Sequence, residues 1–238
     1  VAPENVPAVT GIAERYDLGV SVIGETTASG RYVCNIDGET VVDVPAAFVA
    51  DGAPSADLSP LEPSPPEPSV PEIDLGGAAD RVLGNPNTGS DEWVYRQYDQ
   101  EVGTRTAVRP GEDAGLLAIR DVDTGLAISA GAEPTWTATA PYEGAYATAL
   151  ENATNLAATG ATPIAAVDGL NAGNPETPTV YGEFAAIIDG LADGCRDLSV
   201  PVVGGNVSLY NDSNAGPIPP TPTVAMLGTN PDLDAPTN

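Results

Sequence analysis

The chain has no lysine and no histidine, and its eight basic residues are all arginine. Against them stand 34 aspartates and glutamates, for a net charge of −26. Surfaces that bind nucleic acid or anionic lipid need clustered cations, so this balance excludes both as general functions. Cysteine is scarce: Cys34 and Cys195 form neither a metal-ligand spacing nor a redox pair, and both read as small apolar residues, with no support for a disulfide. The single methionine is Met226, the first residue is Val1, and no positively charged segment leads into an apolar run. No signal peptide or membrane span is legible, and the chain reads as an internal piece of a longer cytoplasmic protein.

What is present argues for a folded protein. Hydrophobic residues make up 42% of the sequence and fall into periodic segments, which is too much for a solvated acidic tail. A high-salt cytoplasm explains the acidity better. In molar salt the Debye length shrinks to about 3 Å, and repulsion that would loosen the fold in dilute buffer is screened.

Residues from about Tyr16 to Pro54 alternate in a way that suits short strands at Val20–Ile23, Tyr32–Ile36 and Thr40–Val44, and residues 1–56 read as the tail of an α/β domain. Residues 57–82 shift to Pro, Ser and Glu, with Pro60, Pro63, Pro65, Pro66, Pro68 and Pro71. Proline at that density blocks helix and sheet bonding, so a semi-extended linker is expected. A second unit spans 83–238. Strands are expected at Asp113–Arg120, Gly125–Ala130, Pro163–Val167, Pro201–Tyr210 and Pro222–Gly228, and helices at Tyr142–Thr159 and Val180–Leu198. The first helix carries an apolar stripe of Tyr146, Ala149, Leu150, Ala153, Leu156 and Ala157, and Gly160 ends it. Alternating strands and helices place the fold in the α/β to α+β range.

The most informative stretch is PVVGGNVSLYN at 201–211. A strand through Val202 and Val203 is expected to end at Gly204 and Gly205, where positive φ would bring backbone N–H groups to an anion. Asn206 and Ser208 then share one side, offering a carbonyl oxygen and a hydroxyl that suit Mg²⁺ or a phosphate. An ordinary turn between strands fits the same residues. Asp168 is expected to close the strand from Pro163, and the loop DGLNAGNPE at 168–176 places two acids, two Asn and two Gly together. Carboxylates there would repel an anionic ligand unless a cation intervened, which points to a Mg-bound nucleotide; an acidic surface loop needs no ligand. Glu112 and Asp113 read either as solvated acids before a strand or as further metal ligands.

These motifs, with NATNLAATGATP at 152–163, resemble in order and spacing the synthetase subunit of the phosphoribosylformylglycinamidine synthase family. The resemblance extends to WVYRQYD at 93–99, PGEDA at 110–114 and PPTP at 219–222, and to VIGE at 22–25 and VVDVP at 41–45. It departs at Gln100, Ala140 and Ala172, where the family often has His, Asp and an aromatic residue. The family consists of tandem two-domain units similar to aminoimidazole ribonucleotide synthetase. By resemblance, this chain holds the end of the first unit's substrate-side domain, a linker, and the leading domain of the second unit.

The resemblance implies an ATP-dependent ligase of purine biosynthesis. ATP phosphorylates the amide oxygen of formylglycinamide ribonucleotide, and ammonia from a glutaminase subunit displaces phosphate to give the amidine. A small bridging subunit completes the assembly. Carried over by position, Asp168 and Gly205 contact nucleotide, Asn206 ligates Mg²⁺ and Ser208 touches substrate. The family's catalytic histidine has no counterpart here, so no catalytic residue is assigned and the chain alone is expected to be inactive. The alternatives are another ATP-dependent enzyme of the same superfamily, such as thiamine-phosphate kinase, and an acidic interaction module bearing the sequons at Asn152, Asn206 and Asn211.

Overall fold

A computed structural model describes residues 1–54, 58–67, 69, 72–231 and 233. The expected boundary at 56/57 and two of the linker prolines, Pro68 and Pro71, lie outside the described residues. The chain divides into two compact units, Val1–Asp57 and Leu58–Asn238.

The first unit opens with a helix, α1 (Val6–Arg15), which precedes the segment expected to form strands. An antiparallel hairpin follows, β1 (Arg31–Ile36) and β2 (Glu39–Pro45), and then α2 (Ala46–Asp51). Asp37 and Gly38 turn the hairpin, both at positive φ, as a two-residue loop between right-twisted strands requires. Arg31 closes its base by donating to the Asp43 carboxylate at 2.5 Å and to the Asp43 carbonyl at 3.0 Å. Val20–Ile23 is not a strand, because no described neighbour takes up its backbone groups, and Ile23 is fully exposed. No described residue of this unit is buried. A lone hairpin is marginal in water, so these residues carry no hydrophobic core of their own.

In the second unit residues 58–67 are irregular, and α3 (Leu75–Leu83) starts inside the stretch read as linker. Asp74 caps this helix by accepting from the N–H groups of Gly76 and Gly77. After α4 (Glu92–Tyr95) the chain builds a six-stranded sheet. Its strands are β3 (Thr106–Val108), β4 (Gly115–Ile119), β5 (Thr124–Gly131), β6 (Thr162–Asn171), β7 (Val202–Ser208) and β10 (Thr221–Asn230). They lie in the order β3-β4-β5-β10-β6-β7, and only β6 and β7 run parallel. The short pair β8 (Asp212–Ser213) and β9 (Gly216–Pro217) projects after β7. Between β5 and β6 come α5 (Pro134–Thr139) and α6 (Pro141–Ala158), and α7 (Pro178–Asp197) makes the crossover from β6 to β7. The architecture is α+β, with a mixed sheet.

Helices α6 and α7 cover one sheet face. Leu156 and Ile187 meet Leu116, Ala127, Val224 and Met226 of the strands in a single core. With only two phenylalanines in the chain, close approach of small residues does the work that aromatic bulk does elsewhere. A Cβ on Gly190 of α7 would stand 2.8 Å from the Tyr142 carbonyl carbon of α6, so only glycine allows this crossing. The buried face of α6 runs through Ala145, Ala149, Ala153 and Leu156, and leaves Leu150 of the expected stripe partly exposed. Gly160, at φ +77°, supplies the left-handed residue that ends α6.

The linker is tied to α7. The Leu61 N–H donates to the Pro178 carbonyl at 2.9 Å, and a Cβ on Gly182 would lie 2.7 Å from the Leu61 carbonyl carbon. Gly182 thus leaves room on α7 for an extended strap.

Candidate functional site

The parallel pairing of β6 with β7 sets Asp168 opposite Gly205, Gly169 opposite Asn206, and Asn171 opposite Ser208. Asp168 therefore lies inside its strand and does not close it, and the first four residues of the expected 168–176 loop belong to β6. The strand β7 likewise passes straight through Gly204 and Gly205, neither of which has positive φ. The expectation of a glycine turn is corrected, and the reason for glycine is different. A Cβ at 205 would come 2.5 Å from the Asp168 carbonyl oxygen and would also overlap its Oδ1. At 204 the nearest atom, Val167 Cγ1, is 4.0 Å away. Gly205 is required by the close approach of Asp168.

Side chains alternate along a strand, so this register separates the expected residues into two sets. Asp168 pairs with Val224, which is fully buried beneath the helices. Asp168 and Gly205 thus belong to the helix-covered face. Burial raises the Asp168 carboxyl above the ordinary carboxylate range, and its negative charge in turn adds to the burial that raises the thiol of Cys195 on α7. Cys195 is buried and free, and Cys34 is also free. Asn206 and Ser208 belong to the opposite face with Gly169 and Thr223: a Cβ at Gly169 would lie 3.5 Å from Asn206 Oδ1 and 3.8 Å from Thr223 Cβ. The absence of a side chain at 169 opens the surface beside the Asn206 amide. No described helix lies on this second face, and Leu117, Ile128 and Val167 are partly exposed there.

A hollow of about 550 Å³ follows the β7 edge, bordered by Asp168, Leu170, Gly205 and Asn206. Beyond it, the segments leaving β6 and β7 are joined. Ala172 N–H donates to the Ser208 carbonyl at 3.0 Å, Asn211 N–H to the Ala172 carbonyl at 3.1 Å, and Tyr210 N–H to the Gly173 carbonyl at 3.1 Å. The Tyr210 hydroxyl donates to Glu176 at 3.3 Å, and the Glu176 charge is the main cause that raises the tyrosine pKa. Tyr210 holds φ +60°, an uncommon left-handed conformation for an aromatic residue. Asn211 stands at the centre of this junction, although only its place in a motif could have marked it in the sequence.

Among the described residues no three His, Cys, Asp or Glu side chains come together to hold a metal ion. Glu112 and Asp113 are exposed and join no such group. The neutral Asn206 oxygen suits a hard cation that arrives with its own anionic partner and is too weak to retain one alone. In that sense the donor set fits a metal-nucleotide pair. No described helix is long and apolar enough to cross a membrane.

A mixed sheet with two helices on one face and polar side chains at the C-terminal ends of its parallel pair has the form of a ligand-binding α+β domain. The family described as "AIR synthase related protein, N-terminal domain" matches residues 111–230, and the chain belongs to this family. Within it, the chain is 63% identical over 236 residues to the phosphoribosylformylglycinamidine synthase subunit PurL of Natronomonas pharaonis, covering 99% of this chain and 33% of the relative. The chain spans about a third of the length of the curated relatives it matches. Among solved structures, PurLQS from Thermotoga maritima superposes with a TM-score of 0.76 at 28% identity, over 97% of this chain and 37% of that one. T. maritima PurL complexed with ATP gives 0.73 at 27% identity, over 97% and 36%.

Proposed function

We propose that this chain is the part of a phosphoribosylformylglycinamidine synthase that brings a second nucleotide and metal site, and one contact to substrate, to an ATP-dependent C–N ligase. The observation that carries the reading is the placement of Asn206 and Ser208 side by side on the uncovered sheet face, at the joined ends of β6 and β7. Support comes from the 63% identity to the Natronomonas subunit and from the likeness to T. maritima PurL complexed with ATP. Residues 1–56 are the end of a first substrate-side domain, 57–82 a linker, and 83–238 the leading domain of the second unit.

In this reading the reaction converts formylglycinamide ribonucleotide, ATP and ammonia into the amidine, ADP and phosphate. Mg²⁺, when bound, neutralises charge on the nucleotide phosphates. Asn206 would hold that metal through its amide oxygen, on the open face where Gly169 leaves room beside it. Ser208 presents a hydroxyl to the substrate two residues along the same face. Gly205 and Asp168 act from the other face and the strand edge, where their close packing fixes the path of β7 and gives the nucleotide its contact. Positioning and charge stabilisation are what phosphoryl transfer asks of a protein, and these side chains contribute binding and positioning to it without a catalytic residue of their own. Ammonia comes from a glutaminase subunit, with a small bridging subunit between, in keeping with the likeness to PurLQS. The site of action is cytoplasmic.

The test is ammonia-dependent amidine formation by the full-length protein with ATP and Mg²⁺ in molar KCl. Turnover is expected. A folded full-length protein that binds nucleotide and forms no amidine overturns the assignment.

A further inference from the structure

We infer that Asn211 is a positioning residue that holds the Ser208 hydroxyl as a hydrogen-bond donor toward the ligand. The inference rests on the proposed contact of Ser208 with substrate. Asn211 Nδ2 lies 2.9 Å from the Ser208 carbonyl, 3.1 Å from the Ala172 carbonyl and 3.2 Å from Ser208 Oγ. Two of these neighbours are main-chain carbonyls, which only accept, so the NH₂ end of the amide must face them. The reversed amide would set three oxygens against one another.

With that orientation fixed, the state of Ser208 follows. Its Oγ shares a proton from Asn211 Nδ2, while the Asn211 oxygen, 3.5 Å away, stands well beyond the usual O–H···O length and holds the serine proton only weakly. The hydroxyl is left with its own proton to donate. The group that Ser208 meets is therefore an acceptor oxygen, such as that of a phosphate or an amide.

The main chain is shaped to bring Asn211 back to this point. Tyr210 takes the left-handed conformation at φ +60°, a strained choice for a tyrosine. It is held there by the bond from its N–H to the Gly173 carbonyl and by its hydroxyl on Glu176. The Asn211 N–H and side chain then both reach the Ala172 carbonyl, at 3.1 Å each. One carboxamide thus locks the segment after β6 to the segment after β7 and orients the serine between them.

The test is a double-mutant cycle in the full-length protein, with ammonium as nitrogen source and molar KCl, reading KM for formylglycinamide ribonucleotide, kcat and the melting temperature. Ser208→Ala and Asn211→Ala are each expected to raise KM about tenfold. Because Asn211 acts through Ser208, adding Asn211→Ala to Ser208→Ala should change KM by less than about twofold. Should Asn211→Ala fail to accumulate folded, Asn211→Leu, which keeps the side-chain volume and removes the donor, carries the same cycle. Multiplication of the two effects, to about a hundredfold, overturns the inference and leaves the contact of Ser208 standing. A melting temperature lowered by Asn211→Ala with KM unchanged also overturns it, as a purely structural role. An unchanged KM in Ser208→Ala overturns the substrate contact itself, and the inference with it.

Discussion

Substituting the two adjacent glycines of β7 separates close packing from backbone freedom. On Gly205 a Cβ would stand 2.5 Å from the Asp168 carbonyl oxygen and overlap Oδ1, whereas on Gly204 it would find Val167 Cγ1 at 4.0 Å. The carboxyl can swing aside, but the Asp168 carbonyl is part of a strand paired on both sides, with β10 and β7. Relief therefore requires the edge strand to move outward by several tenths of an ångström. Overpacking of this kind costs about 1–3 kcal/mol, and at about 2–4 °C per kcal/mol the transition of the Leu58–Asn238 unit should fall by roughly 2–12 °C in Gly205→Ala. Gly204→Ala should be neutral, or gain about 0.5 kcal/mol by restricting the unfolded chain. Thermal unfolding of full-length variants in molar KCl makes the comparison. Nucleotide titration should show loss only in Gly205→Ala, because Asn206 moves with the displaced strand. Equal melting temperatures, or a larger loss in Gly204→Ala, would refute the packing argument.

Other expectations follow from the same geometry. Gly182→Ala puts a Cβ against the Leu61 carbonyl and should free the strap, so limited proteolysis within 58–67 is expected to quicken severalfold while the core keeps its protection; an unchanged cleavage rate would contradict the tie. The unfolding midpoint should rise between dilute buffer and molar KCl, since 34 acids face only 8 arginines, and a midpoint independent of salt would remove self-repulsion as a factor. Burial raises the Asp168 carboxyl, so the folded chain keeps this proton at a pH where the unfolded chain has lost it. Its contribution to stability falls as pH climbs from the ordinary carboxylate range through the raised value, and the cost is fully present above that. Asp168→Asn should remove this slope and melt higher than wild type at neutral pH, with the advantage vanishing in acid; a constant difference across the range would exclude the carboxyl as its source.

The division between what could and could not be read in the sequence has physical causes. Helix α6 was legible to within a residue at each end because Pro141 opens it and Gly160 supplies its left-handed stop. The strands around Tyr32–Ile36 and Thr40–Val44 were legible because Asp37-Gly38 is a hairpin turn. Val20–Ile23 carries the same local pattern and is no strand, since pairing depends on a neighbour that local sequence does not specify. Gly204-Gly205 misled in another way. Glycine serves both positive φ and close approach, and only the register with Asp168 distinguishes them. Alternation did place Asn206 and Ser208 together, but which face Asp168 shares is set by its pairing with Val224, 56 residues later in the chain. The role of Asn211 depends on three acceptors from two separate segments, so periodicity contains no trace of it.

The nucleotide and metal site proposed at the β6–β7 edge is tested by counting bound nucleotide. Equilibrium binding of ADP to the full-length protein, with and without Mg²⁺ in molar KCl, should show that Gly205→Val binds one equivalent per chain fewer than wild type while remaining folded. Asn206→Asp should bind the same number with an altered Mg²⁺ requirement. Unchanged stoichiometry in Gly205→Val, together with an unchanged Mg²⁺ requirement in Asn206→Asp, would contradict a nucleotide site at this edge.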